Sequence, residues 1–351
     1  MTQTMAIFVD AYRSLNSKRL FWVALGISGL VVVAMVCIGM NDQGVRLLFW
    51  QIDSLWLNAK TVSPAVFYKQ LFVYAGIGFW LSWLATILAL VSTAGIFPDL
   101  VSNGAIDLFV SKPIGRLRLF LTEYVAGLLF VTLQVTIFSV ASFLAIGLHG
   151  GGWEPGLLVA VPVVVCFFSY LFAICVLLGI LTRSTVAALL LTLLFWFMIY
   201  AVGQAEQTVM MMQTMEKHGV MGFRAAFRHG PAGSGASQGQ RGPLVTVSNS
   251  APDPSQSNTA GLETTRQILH AVNTVLPKTT ETIGLLQRWL IRLADLPKEP
   301  ASPQQRAAQA ARREFQEALY RRSPWWIVGT SLGFEFVVLA WAAGAFCRRD
   351  Y

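Results

Sequence analysis

FPDLVSNGAIDLFVSKPIGR, residues 97–116, decides how the rest of the chain is read. Pro98 can open a helix and Pro113 stops one, because proline presets φ and lacks the backbone N–H that a helix interior needs. Asp99 and Asp107 keep the stretch out of lipid, while Leu100, Val101, Leu108 and Phe109 supply an apolar face. On either side stand two long apolar runs, residues 71–97 and 119–148. A bare connection between two packed helices needs only about 2–8 residues. The stretch therefore reads as a short helix of its own, outside the membrane, joining two spans.

Working outward, six runs are long enough to cross a bilayer, which takes about 20 apolar residues per helix. They are residues 20–40, 71–97, 119–148, 157–181, 186–203 and 325–346. Trp22, Trp50, Trp153, Trp325 and Trp326 lie near span ends, where indole rings favour the interface. Over the whole chain of 351 residues, 55% are hydrophobic and only 13% charged. A soluble domain carries roughly 25% charged residues, so a soluble enzyme and a disordered chain are both excluded. The net charge of +8 would raise nucleic acid as a partner in a soluble protein. Here the basic residues flank apolar runs, so their use is membrane orientation and no nucleic-acid partner is expected.

Orientation follows from the short loops. One side holds Arg13, Lys18, Arg19, Lys112, Arg116, Arg118, Arg183, Arg348 and Arg349; the other holds only Arg46, Lys60 and Lys69. The excess of Lys and Arg puts both termini in the cytoplasm. Residues 204–323 are then external, in a segment too long for the charge rule to govern. The first apolar run is about twice the length of a signal-peptide core, and it reads as a retained span in an inner, or cell, membrane.

Before it, residues 1–19 place Met5, Phe8, Val9, Tyr12 and Leu15 at helical spacing, which predicts a helix lying on the inner leaflet. Within the external segment, residues 230–261 are rich in Gly, Ser, Pro, Gln and Asn and read as a flexible linker. Residues 262–296 and 303–322 read as helices. They could pack on one another, lie on the outer leaflet or cap the spans. Residues 324–351 form the sixth span and a cytoplasmic tail. The predicted fold is an all-α polytopic membrane protein, with the spans and cytoplasmic helix in residues 20–203 and 324–351.

Within the opening stretch, Gly104-Ala105-Ile106-Asp107-Leu108 followed by Ser111-Lys112-Pro113-Ile114-Gly115-Arg116 resembles the coupling segment of type-2 ABC permeases. The resemblance is closest to the branch assigned to multicopper-enzyme maturation. It implies a membrane subunit of an ATP-driven transporter, an exporter, that pairs with a second permease copy as a homodimer or heterodimer. ATP and Mg would sit on a separate ABC ATPase subunit, with no cofactor and no catalytic residue on this chain. The residues implied at the ATPase contact are Pro98, Asp99, Leu100, Val101, Gly104, Asp107, Leu108, Phe109, Lys112, Pro113 and Arg116.

Other chemistry is sparse. No Gly-x-x-x-x-Gly-Lys-Ser/Thr loop occurs, which agrees with ATP hydrolysis on another chain. Gly26-Ile27-Ser28-Gly29 resembles the serine motif of rhomboid proteases, but His149, His218, His229 and His270 all fall outside the spans, so the serine lacks a base. Small residues there suit close helix packing instead. Cys37, Cys166, Cys175 and Cys347 sit in or at the ends of spans, so no external disulfide is expected. Met211, Met215 and His218 share a helical face and are candidate Cu(I) ligands, weighed against plain helix packing by methionine.

Glu335 is the only formal charge near the middle of a span. A central acid costs about 2.5–3.5 kcal/mol on insertion scales, so it should face protein or water. That leaves two rival readings: an ion-coupled secondary transporter using Glu335, or a membrane anchor for an external enzyme-maturation system with an external partner protein.

Overall fold

The computed structural model describes residues 19–41, 44–47, 50–53, 64–102, 115–150, 153, 155–217, 264, 267–269, 271–274, 276–291, 314, 317 and 322–348. They are mostly helical. The interfacial helix expected at residues 1–18 and the linker at 230–261 lie outside the described residues.

Helix α1, Arg19–Val36, carries an unbroken apolar sequence and ends four residues before the end of the expected span. The chain turns there into a small antiparallel sheet: β1 Ile38–Asn41, β2 Gly44–Leu47 and β3 Trp50–Asp53. The register pairs Ile38 with Leu47 and Leu47 with Trp50. The sheet is a departure from the all-α expectation. Each strand is four residues long, and so is invisible to a search for runs of span length. The β-branched Ile38, Val45 and Ile52 suit a pleated surface.

Helix α2, Pro64–Leu71, leads without a break into wide π-helical turns over Phe72–Ala85 and then into α3, Thr86–Thr93. The Ser82 hydroxyl donates to the Ile77 carbonyl and the Thr86 hydroxyl to the Leu81 carbonyl, both 2.7 Å and both five residues back. A turn at Ala94–Gly95 separates α3 from α4, Ile96–Ser102. The new helix thus starts two residues before Pro98. This proline occupies the first turn, where its missing N–H has no partner to lose.

After residues 103–114 come α5, Arg116–Gly150; a single 3-10 turn, Pro155–Val159; α6, Ala160–Thr182; and α7, Thr185–Lys217. Helix α7 runs unbroken past residue 203, where the fifth span was expected to end. The link from α6 to α7 is two residues long. Arg183 adopts the left-handed conformation (φ 53°) and donates its N–H to the Gly179 carbonyl. Ser184 then caps α7 by accepting the Ala187 N–H. Two further helices are α8, Thr279–Ile291, and α9, Pro324–Arg348.

Five helical stretches are long and apolar enough to cross a membrane: Phe72–Val101, Arg116–Leu148, Pro155–Thr182, Thr185–Met215 and Pro324–Arg348. The apolar part of α1, Trp22–Val36, is shorter.

The chain divides into two compact units. The first comprises Met1–Tyr200, Val275–Pro297 and Pro324–Tyr351. Helix α6 is its centre: Phe167 through Leu177 are buried in succession, so the helix is apolar and covered all round. Helices α5, α8 and α9 and the π-helical segment pack on it. Helix α8, which falls in the segment expected to be external, packs against helices of span length. Helix α9 shows the opposite surface, with Phe336 73% exposed and Val337 and Trp341 also bare. Such an apolar face belongs against lipid or another protein, not water.

In the second unit, Ala201–Thr274 with Lys298–Ser323, the Glu206 carboxylate is buried. It accepts from Asn273 Nδ2 at 2.5 Å and from Arg322 Nη2 at 2.6 Å.

Candidate functional site

The polar contacts of the first unit lie at three levels along α9. In its middle, Glu335 is only 7% exposed. Tyr124 of α5 donates its hydroxyl to Oε1 at 2.7 Å, and Ser169 of α6 donates to Oε2 at 2.8 Å. Each carboxylate oxygen thus has its own donor, from a different helix. Tyr124 is held in place by stacking on Phe172, with ring centroids 5.2 Å apart and planes 11° from parallel. The Ser169 hydroxyl also lies 2.8 Å from the Cys166 carbonyl, and the Tyr170 hydroxyl meets Cys166 Sγ one turn away. Glu335 faces protein, as its cost in lipid required.

Nearer the start of α9 lies Lys278, 3% exposed, just ahead of α8. Its N–H donates to Ser331 Oγ at 3.0 Å and its ammonium to Thr330 Oγ1 at 2.9 Å. The same ammonium sits 5.2 Å from the centre of the Trp326 ring, a cation–π contact that strengthens when dry. At the far end of α9, Arg116 Nη1 donates to the Cys347 carbonyl at 3.3 Å. A cation on the last carbonyls of a helix complements its dipole.

Arg116 is also one of the residues implied at the ATPase contact. Of the others, Pro98 is buried, and its ring atoms would lie 3.1 Å from a β-carbon on Gly179 of α6. Glycine is what lets α4 approach α6 so closely. Asp99 is exposed, whereas Leu100 and Val101 are buried and belong to the hydrophobic core. Those two side chains support the bundle rather than an outward docking face, because a short helix laid on α6 must turn its apolar side inward. Gly104, Asp107, Leu108, Phe109, Lys112 and Pro113 lie outside the described residues.

Met211 and Met215 are half-buried on α7, and His218 lies outside the described residues. Among the described residues no group of three or more His, Cys, Asp or Glu side chains could hold a metal ion. All four cysteines are free.

Sequence reasoning isolated Glu335 but not its two partners, since hydroxyls in spans carry no charge signal. Lys278 falls within residues 204–323, which the sequence marks only as a long segment expected to be external. The sequence signal for Lys278 was local: it follows Pro277 and opens the stripe Ile283, Leu286 that packs on the spans.

No protein-family model matches the chain, and no curated protein matches it.

Proposed function

We propose that this chain is the membrane subunit of an ATP-driven ABC transporter, working as an exporter in the cell membrane with both termini cytoplasmic. On this reading α1 is a sixth crossing. Its 18 residues span about 27 Å, close to the roughly 30 Å hydrocarbon core, and it packs alongside the π-helical segment, α3 and α5. Two such subunits pair, and the bare face of α9 meets lipid or the second copy.

The observation that carries the reading is where the described residues on either side of 103–114 are anchored. On one side α4 is seated on α6 through Pro98 and Gly179. On the other Arg116 is bonded to the end of α9. A force on the segment between these points is delivered to two helices of the bundle at once. That is the property a coupling segment needs. It is the same segment whose sequence resembles that of type-2 ABC permeases. The ion-coupled alternative is less favoured, because both Glu335 oxygens already accept hydrogen bonds from protein.

The test is Leu108→Asp with Phe109→Asp. Two charges in a docking groove cost several kcal/mol, enough to abolish a modest interface. Co-purification with the proposed ABC ATPase subunit should be lost, with membrane insertion normal. Pro113→Ala should keep the complex and uncouple ATP hydrolysis from transport. Ile268→Asp, on an exposed position of the second unit, is the control and should leave ATPase binding unchanged. Wild-type recovery of the ATPase by the double variant would refute the coupling assignment.

A further inference from the structure

Helix α5 buries a glutamine, Gln134, that is 4% exposed. A primary amide brings two N–H donors and a carbonyl acceptor. Among the described residues neither Nε2 nor Oε1 of Gln134 has a hydrogen-bond partner. Ser28 of α1, 5% exposed, has a hydroxyl in the same condition. Several hydroxyls in this bundle turn back onto their own helix: Thr122 donates to the Arg118 carbonyl, Thr132 to Leu128 and Thr192 to Ala188. Ser28 makes no such bond; nor do Ser139 and Ser142 of α5, but of these three only Ser28 lines the same cavity as Gln134.

Both side chains line one cavity, between α1, the π-helical segment, α3, α5 and α6. Thr86 also lines it; its proton goes to the Leu81 carbonyl, which leaves its oxygen free to accept. Phe138 and Phe168 close the cavity with apolar surface. A bound water needs 2–4 polar partners, and Gln134 Oε1, Gln134 Nε2, Ser28 Oγ and Thr86 Oγ1 supply four. The cavity leaves about 10 Å³ for the centre of a water molecule. One water needs roughly 10–15 Å³, so the space suits a single water.

We propose that this cavity is a binding site for a single structural water, which joins Gln134 of α5 to Ser28 of α1. In hydrocarbon an unpaired amide is costly, and a water with matched donors and acceptors removes that cost. The two helices are then linked by a polar bridge. The site stands whatever molecule the bundle moves.

Hydroxyl-radical footprinting in H2(18)O tests it, on the full chain in lipid nanodiscs. An X-ray pulse makes radicals from bound water in place, and these oxidise the nearest side chains. Phe138 and Phe168 border the cavity, while Phe120 is equally buried and packs against Phe97 and Phe346. In the wild type, (18)O uptake at Phe138 and Phe168 should exceed that at Phe120. In Gln134→Leu/Ser28→Ala it should fall to the Phe120 level. Equal labelling of the three phenylalanines in the wild type overturns the proposal without any variant. Excess labelling that persists in the double variant overturns it too. If the double variant does not fold, Gln134→Met, close in volume, takes its place under the same two criteria.

Discussion

Tyr124→Phe removes one oxygen and little else. The ring keeps its stacking on Phe172, but Glu335 Oε1 loses the donor that stands 2.7 Å away. A hydrogen bond to a charged group is worth about 1.5–3 kcal/mol in proteins generally. Side-chain bonds between helices in lipid average about 0.6 kcal/mol, with a maximum near 1.7. The contact here is short and both ends are buried, so the expected loss is about 1.5 kcal/mol, at the top of the membrane range. That is roughly tenfold in the unfolding equilibrium. Ser169→Ala takes the donor from Oε2 and should cost a similar amount. Together the two changes leave the carboxyl group with neither donor, so the double variant should lose more than the sum, with a coupling of about 0.5–3 kcal/mol. Adding Glu335→Leu to that background removes the stranded carboxyl and should restore much of the loss. The assay is equilibrium unfolding of the purified protein by SDS titration in mixed micelles. The reasoning is refuted if Tyr124→Phe stays within about 0.3 kcal/mol of wild type and the double variant is additive.

Two glycines should respond oppositely to the same methyl group. At Gly127 a β-carbon would stand 2.7 Å from the Phe172 ring, so Gly127→Ala should destabilise by about 1–3 kcal/mol; at Gly29 nothing lies within 4 Å, so Gly29→Ala should be neutral or stabilising by up to about 1 kcal/mol in the same titration. In the second unit, Arg322→Ala removes the cation paired with the buried Glu206 carboxylate while Asn273 still donates to it; breaking such a pair costs about 3–5 kcal/mol locally. Hydrogen exchange should then rise over residues 201–217 and stay unchanged in α6; equal protection in variant and wild type would show that the pair is idle. For orientation, a membrane-impermeant thiol reagent should label a cysteine introduced at Ser234 and not one at Ser111, and the reverse pattern would invert the topology.

The apolar helices were legible because lipid imposes length and composition on them. Residues 157–181 read as a span and form α6 with its preceding turn almost to the residue. Glu335 was legible for the same reason, as the one formal charge where lipid penalises charge. Its partners were not, because Tyr124 and Ser169 stand 211 and 166 residues away in sequence. A tyrosine or serine in a span is chemically unremarkable until the fold aims it. The sheet at Ile38–Asp53 was missed because a four-residue strand has too short a period to register beside spans of about 20 residues. Lys278 was missed for a subtler reason. A lysine in a long stretch between apolar runs reads as solvated, whereas this one is drawn in by Thr330, Ser331 and the face of Trp326.

These contacts also explain how α9 finds its place. It is the last helix of the chain, and more than a hundred residues separate it from α7. Between helices in lipid the hydrophobic effect gives little drive, since an apolar side chain is as well solvated by acyl chains as by a neighbour. Helix α9 packs one stripe on α6, with Ile327, Ala342 and Phe346 buried, and leaves much of its other apolar surface bare. Polar contacts add direction to that packing. Lys278 meets Thr330 and Ser331, Tyr124 and Ser169 meet Glu335, and Arg116 meets the Cys347 carbonyl. Along the helix axis these points are separated by about 6 Å and then about 18 Å, at 1.5 Å per residue. One contact fixes a point, two fix a tilt, and contacts on different sides of the helix fix its rotation. Loss of the middle one alone should thus weaken α9 without displacing it, whereas loss of the middle and one end should free it to turn. Tyr124→Phe/Ser169→Ala combined with Lys278→Met/Ser331→Ala is the variant that separates these cases: cysteine cross-linking between α9 and α6 should remain unique in Tyr124→Phe/Ser169→Ala and become distributed over several positions in the combination.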